Sequence, residues 1–368
     1  MNPTKQLDQL GQRLWLDNIT RDLLVSGTLQ RYIRDFAISG LTSNPTIFDR
    51  AIRNTSLYDE AISEAAAQGR SGEALFLDLA MADVTAAADL FRPIHDATAG
   101  IDGWASIEVS PLLADDAAGT VRETIRLHER GRRPNLFIKI PGTQAGLTAI
   151  EESTYAGVPV NVTLLFSREQ YVAAAEAYLR GLERRIAAGL DPKVASVASL
   201  FVSRWDVAVH DTVPAALRNR LGIAIAQRTY SAYRELLASP RWRKLAAAGA
   251  QPQRLLWAST GTKDPQASDT LYIEALAAPE TINTVPDKTL LAFADHGRLR
   301  SELPADERDV EAVLVEFAQA GVDVAALAER LLREATQSFD TSWADLMECI
   351  ASKTRVLGKN APSQATIR

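Results

Sequence analysis

One lysine stands inside an otherwise apolar strand, Asn135-Leu136-Phe137-Ile138-Lys139-Ile140-Pro141. Leu136, Ile138 and Ile140 share one face; Phe137 and Lys139 share the other. Pro141 and Gly142 end the strand and a helix-like segment follows, the pattern of a buried parallel strand in an α/β protein. Desolvating an ammonium is costly, so lysine is seldom fully buried without a reason. Burial favours the neutral amine, and a neutral amine attacks carbonyls. The chemistry on offer is therefore Schiff-base formation. The competing reading is a lysine at a strand end whose ammonium reaches water along its own stem.

The neighbouring strands carry further polar residues at the same parity. Asp17 shares its face with Trp15, and Asn44 with Thr42. Glu108 is flanked by Ser106 and Ser110, Asn161 is followed at the same parity by Thr163, and Ser199 by Phe201 and Ser203, with Arg204 next. A seventh strand ends in Ala258-Ser259-Thr260, with Lys263 just beyond. Each residue has a plain alternative: a helix cap for Asn44, a loop carboxylate for Asp17, an arginine partner for Glu108. Together they place one lysine and two carboxylates in one closed space, where each shifts the others' proton affinity. The joint pattern points to an aldol-type Schiff-base site.

Such residues need a scaffold that gathers many strand ends. Eight strands are expected: Leu14–Asn18, Leu41–Pro45, Trp104–Ser110, Asn135–Pro141, Val158–Phe166, Val194–Ser203, Arg254–Thr260 and Ile282–Pro286. Each is followed by helix. One helix is expected from Thr20 to Gly40, about fifty helical residues from Thr46 to Thr98, one long helical region from Val207 to Ala248, and one helix from Ala267 to Ala277. Val160, Val162 and Leu164 are expected on the outer face of the fifth strand. The alternation is that of a (β/α)8 TIM barrel with additional helices. The chain reads as one domain over 1–368, with the barrel to about residue 300 and C-terminal helices over about 305–356 packing on it. Leu327, Leu331, Ala335, Phe339, Trp343, Leu346 and Ile350 form a docking stripe in steps of three or four. The polar tail from Lys359 to Arg368 is expected to fray.

Composition narrows the partners. The 368 residues are 46% hydrophobic and 23% charged, an ordinary globular balance. A net charge of −6 and a pI near 5.4 argue against general nucleic-acid binding. The basic clusters Arg130-Gly-Arg-Arg133 and Arg241-Trp-Arg-Lys244 read as solvated helix surfaces. One cysteine and four scattered histidines leave no pattern for a protein-built transition-metal site. No apolar run of membrane-spanning length and no apolar signal core is present, so a cytoplasmic protein without membrane partners is expected. A homo-oligomer stays open.

Several motifs resemble the transaldolase family, in its longer bacterial branch. They are Leu16-Asp17, Gly40-Leu-Thr-Ser-Asn-Pro-Thr-Ile-Phe48, Ser106-Ile-Glu-Val-Ser110, Phe137-Ile-Lys-Ile-Pro141, Asn161-Val-Thr-Leu-Leu-Phe166 and Ser199-Leu-Phe-Val-Ser-Arg204. They occur in order, and the resemblance runs from about residue 14 to 290. It implies a (β/α)8 barrel that transfers a dihydroxyacetone unit between sugar phosphates, with no metal or organic cofactor. It implies Lys139 as the Schiff-base nucleophile, Asp17 as the general base at the C4 hydroxyl, and Glu108 with Thr163 as holders of a water. Asn44 and Asn161 would bind the dihydroxyacetone end, Ser199 and Phe201 would line the site, and Arg204 would bind phosphate. Many members carry a second phosphate-binding arginine after the seventh strand. Here the loop reads Ala258-Ser-Thr-Gly-Thr-Lys263, which leaves Lys263, with Ser259, as the substitute. Three rivals stand beside this reading: an aldolase that releases free dihydroxyacetone from fructose 6-phosphate, a non-catalytic sugar-phosphate-binding barrel, and a metal-dependent isomerase on the same fold, which the scattered histidines disfavour.

Overall fold

The computed structural model describes residues 2–299, 301–305 and 308–360. Eight parallel strands close on themselves in sequence order: β1 (Arg13–Leu16), β2 (Ile38–Leu41), β3 (Trp104–Glu108), β4 (Leu136–Pro141), β5 (Val160–Leu165), β6 (Ser196–Phe201), β7 (Gln253–Ala258) and β8 (Ile282–Val285). β8 pairs back onto β1 in parallel and shuts the ring. A short α1 (Pro3–Leu10) precedes the barrel; α2 (Arg21–Val25) and α3 (Thr28–Phe36) follow β1. Between β2 and β3 come α4 (Pro45–Asn54), α5 (Asp59–Ala67) and α6 (Gly72–Ala97). Single helices follow the next three strands: α7 (Ala117–Gly131), α8 (Gln144–Ala156) and α9 (Arg168–Ala187). After β6 come α10 (Ser203–Val209), α11 (Leu221–Ala238) and α12 (Pro240–Ala247); α13 (Leu271–Ala275) follows β7 and α14 (Asp287–His296) follows β8. The chain ends in α15 (Arg308–Gln319) and the 37-residue α16 (Val324–Asn360).

The strands sort their side chains by parity. Trp15, Trp104, Phe137, Val197, Leu256 and Ile282, from six different strands, meet in one buried cluster inside the barrel. Trp104 stacks on Phe137 with ring centroids 4.0 Å apart. Leu136 and Ile138 join the apolar layer under the helices. At Gly40 a Cβ would lie 2.6 Å from the Trp15 indole, so only glycine leaves room for that ring. Gly40 therefore belongs to β2 and does not end a helix.

The largest correction concerns β2 itself, which spans Ile38–Leu41 rather than Leu41–Pro45. Ala37 takes a left-handed φ of 56° and stops α3, and the chain turns at once into the sheet. Thr42, Ser43 and Asn44 are the loop leaving the strand. Asn44 accepts from the Ile47 amide at 3.0 Å and Pro45 opens α4, which is a helix start rather than a strand end. The expected Thr20–Gly40 helix divides at Gly27, whose φ is 74°. The long Val207–Ala248 region divides at Pro214, at Asn219 (φ 61°), and at Ser239-Pro240, where Ser239 caps the Trp242 amide. The Ala267–Ala277 helix shrinks to Leu271–Ala275. Leu164 does not share the outer face with Val160 and Val162. The pairing of β5 with β6 slips between Val162 and Leu165, Leu164 has φ 59°, and Leu165 takes the outward place instead.

The C-terminal stripe docks as its spacing predicts. Leu327, Leu331, Ala335, Trp343, Leu346 and Ile350 are buried, and Phe339 is half-buried. The first turns of α16 pack with Trp205, Val209, Leu314 and Phe317. Its later turns pack on α4, α5 and α6, with Trp343 edge-on to Phe76 at 5.2 Å and Ser342 Oγ 2.8 Å from Thr46 Oγ1. Between these anchors the helix crosses the barrel at the end where the strands exit. Residues 359 and 360 belong to this helix, and the rest of the tail lies outside the described residues. Among the described residues no helix is long and apolar enough to cross a membrane.

Candidate active site

The strand register sets the floor of the site. Glu108 stands abreast of Lys139, and Lys139 abreast of Asn161. Lys139 is 6% exposed and its Nζ is in direct contact with Glu108 Oε1. The same ammonium donates to the Ser43 carbonyl at 2.8 Å. That carbonyl is free to accept because β2 has already ended. Ser43 is itself fixed, since its hydroxyl donates to the Ser106 carbonyl at 2.8 Å.

Asp17 follows the last residue of β1, and its amide donates to Val285 of β8 at 2.8 Å. Thr42 Oγ1 donates to its Oδ1 at 3.0 Å and lies 2.9 Å from Thr284 Oγ1. Burial pushes the Asp17 carboxyl above the ordinary carboxylate range, against the pull of Lys139, the Thr42 hydrogen bond and Lys263. Burial raises Glu108 as well, against the attraction and hydrogen bond of Lys139. Both carboxyls are thus easier to protonate than exposed ones, which suits proton transfer.

A cavity of about 450 Å³ opens above these groups. Nine of the residues picked out by sequence line it: Asp17, Asn44, Lys139, Thr163, Ser199, Phe201, Arg204, Ser259 and Lys263. Two do not. Asn161 is fully buried beneath the floor, accepting from Ser199 Oγ at 2.8 Å and donating to Ser106 Oγ at 3.3 Å. Glu108 faces an adjoining recess of about 20 Å³, which shares Lys139, Thr163 and Phe339 with the cavity and is lined also by Pro141 and by Thr336 of α16. Thr163 Oγ1 is buried there without a protein partner.

The cationic side of the cavity is built by α10 and the loop after β7. Arg204, in the first turn of α10, lies over the Phe201 ring at 5.8 Å, and burial presses its guanidinium below its ordinary pKa while Glu334 opposes that shift. Ser259 has φ 55° and its hydroxyl lies 2.8 Å from that of Ser203. The Lys263 loop is tied down by its neighbour Asp264, which accepts from Asn219 Nδ2 at 2.7 Å and from the Gln266 amide at 2.8 Å. Two cations on one wall and a lysine–carboxylate cluster on the floor suit a polyhydroxylated carbonyl compound that ends in phosphate.

Several lining residues escaped the sequence reading. Thr284 follows the β8 alternation and could have been found from it. Arg50 lies one helical turn past Ile47 on the same face of α4, and its distance from any strand hid it. Ser338 and Phe339 could not have been assigned, because nothing in the chain says where α16 crosses. Among the described residues no three His, Cys, Asp or Glu side chains converge as metal ligands.

Comparison with known proteins gives one consistent result. The model of the family described as Transaldolase/Fructose-6-phosphate aldolase matches residues 14–350. A protein of Parafrankia sp. named Transaldolase is 44% identical over 358 residues, covering 95% of this chain and 97% of the relative. A Transaldolase of Thiobacillus denitrificans is 44% identical over 355 residues, 94% of this chain and 99% of the relative. A Transaldolase 2 of Nostoc punctiforme is 39% identical over 376 residues, 97% and 98%.

Proposed function

The chain belongs to the transaldolase/fructose-6-phosphate aldolase family, an enzyme that transfers dihydroxyacetone units, and on that premise we propose how its own residues carry the reaction. The donor is sedoheptulose 7-phosphate, the acceptor is glyceraldehyde 3-phosphate, and the products are erythrose 4-phosphate and fructose 6-phosphate, as in the non-oxidative pentose phosphate pathway. The observation that carries the assignment is the contact between buried Lys139 and Glu108 at the floor of a cavity that also holds Asp17.

Glu108 takes a proton from the Lys139 ammonium across their contact. The amine attacks C2 of the ketose, and loss of water from the carbinolamine leaves a cationic imine. The imine draws electrons from the C3–C4 bond as Asp17 removes the C4 hydroxyl proton. The bond breaks, erythrose 4-phosphate departs, and the three-carbon unit stays on Lys139 as an enamine. Attack of the enamine C3 on the incoming aldehyde reverses these steps, and hydrolysis releases fructose 6-phosphate. The small void supports a role for Glu108 and Thr163 in holding the water that is lost and regained. A water needs about 10–15 Å³ and at least two polar partners.

Asn44 and Ser199 hold the dihydroxyacetone end, with Asn161 orienting Ser199 from below. Phe201 packs along the bound chain and carries Arg204. Arg204 binds the phosphate, and Lys263 takes the place of a second arginine as a point charge, with Ser259 beside it. The barrel to about residue 300 and the helices of about 305–356 act as one catalytic unit, a reading supported by Ser338 and Phe339 in the cavity wall. We assign the reaction to the cytoplasm; one buried thiol, Cys349, suits a reducing compartment.

Borohydride trapping tests the mechanism. The protein is incubated with fructose 6-phosphate without acceptor, reduced, and digested for peptide mass spectrometry. An adduct of dihydroxyacetone or hexose phosphate on Lys139 is expected. Folded protein with Lys139 unmodified would overturn the Schiff-base assignment and return the binding-protein reading. Acceptor assays then separate transfer from release of free dihydroxyacetone.

A further inference from the structure

Lys139, Thr163 and Phe339 line both the open cavity and the void that Glu108 faces. Two of these three carry groups that pass protons. The third is a phenyl ring, which has neither a donor proton nor a lone pair. Phe339 is also the member of the α16 stripe that remains half-buried while its six companions are buried. Its neighbours Leu331, Ala335, Trp343 and Leu346 are buried in the helix interface, whereas Phe339 packs only at the edge of the cluster that holds Leu164 and Phe166 and also borders the cavity. An aromatic residue that both docks at its edge and walls a cavity can do more than dock.

We propose that Phe339 is the apolar part of the boundary between the water held by Glu108 and Thr163 and the cavity, that it leaves C2 on Lys139 within reach of that water but screens C3 of the three-carbon intermediate, and that it sets how much enamine passes to an aldehyde rather than to water. This rests on the Schiff-base reading. In the competing path C3 of the enamine takes a proton, which restores the imine. One water then adds at C2, the carbon–nitrogen bond breaks, and free dihydroxyacetone leaves Lys139 as the amine. The net change consumes one water and no redox partner. The proton source nearest to Lys139 is Glu108 with its water. Phe339 is the one apolar side chain of the three that border both spaces, so it covers part of the way by which a chain of waters from that void would reach C3. Removing the ring joins the two spaces and opens that chain. Phe339 acts here as a positioning residue, through the solvent it excludes.

The test compares two rates in the full chain. One is transfer from fructose 6-phosphate to erythrose 4-phosphate; the other is release of free dihydroxyacetone without acceptor. Their ratio does not depend on the fraction of folded protein. Phe339→Ala should raise release relative to transfer about tenfold, equivalent to roughly 1.4 kcal/mol of barrier difference. Phe339→Leu, which keeps an apolar wall, should stay near the parent ratio. If the alanine variant fails to fold, Phe339→Gln leaves a smaller gap than alanine and adds groups that relay protons, and its ratio should rise too. An unchanged ratio in both Phe339→Ala and Phe339→Gln, or in the one that folds, overturns the proposal. Failure of the Schiff-base reading is separable, because the parent protein would then show no borohydride adduct on Lys139.

Discussion

Two layers of the barrel interior are built from the same strands and differ completely in chemistry. The lower layer holds Trp104, Phe137, Val197 and Ile282. Two residues further along the same strands stand Ser106, Lys139, Ser199 and Thr284, with Glu108 beyond. Register and parity treat both layers alike, so geometry does not separate them. Energetics does. The lower layer gains from burial, through stacked rings and excluded water. In the upper layer burial acts against the ionised form of both Asp17 and Glu108. A buried lysine–carboxylate contact is often no more stabilising than well-packed apolar side chains. A layer that stability alone would have made apolar is here kept polar, and the lower layer offsets its cost.

Stripping each layer in turn should separate activity from stability. Lys139→Ala should abolish transfer, by on the order of 10⁵-fold or more, while cooperative unfolding is retained. Initial rates together with near-ultraviolet circular dichroism decide it, and substantial residual transfer by folded protein would contradict the assignment. Trp104→Ala should do the reverse, with a stability loss of about 3–5 kcal/mol from the cavity it leaves. Denaturant unfolding measures that loss. The fraction that stays folded should still form the borohydride adduct on Lys139. Arg204→Ala should raise KM for phosphorylated sugars by about 10- to 100-fold, in line with about 1.5–3 kcal/mol for a hydrogen bond to a charged group. Unphosphorylated analogues should be unaffected, and an equal loss with them would remove Arg204 from the phosphate site.

The smallest effect sharpens the energetic claim. Burial holds the Asp17 carboxyl above the ordinary carboxylate range in the folded chain. The folded state therefore binds that proton more tightly than the unfolded state does. As pH rises from the unfolded value through the folded one, ionisation of Asp17 subtracts from stability. Asp17→Asn should remove that decline and flatten Tm against pH in the mildly acidic range, as calorimetry would show. A steeper decline in the variant would mean that the carboxylate stabilises the fold.

Much of this arrangement was legible in the chain because barrel strands impose a period of two on everything they carry. Lys139, Asn161, Thr163 and Ser199 could be assigned a face from alternation alone. The errors in the strands sit where a non-glycine residue takes a positive φ. Ala37 hid the start of β2, and Leu164 reversed the parity of β5. Propensity does not foresee such residues, since they are held there by the surrounding pairing and packing. The Asn161 amide shows a second limit. Its parity was right, yet side chains above it complete the floor, so it supports the cavity instead of lining it. Ser338 and Phe339 show the third. Docking of α16 was readable from its stripe, but the place where it crosses the mouth is a tertiary fact.

That crossing has a consequence in time as well as in space. The chain is made from its N-terminus, so Lys139, Asp17 and Glu108 exist well before residue 339 is added. At about 1.5 Å per residue, α16 extends roughly 55 Å, and it is the last described element to be synthesised. A nascent or prematurely terminated chain can hold Lys139, Asp17 and Glu108 and still lack one wall of the chamber. The chamber is thus complete only once α16 has been made, and a copy interrupted before it has Lys139 without its enclosure.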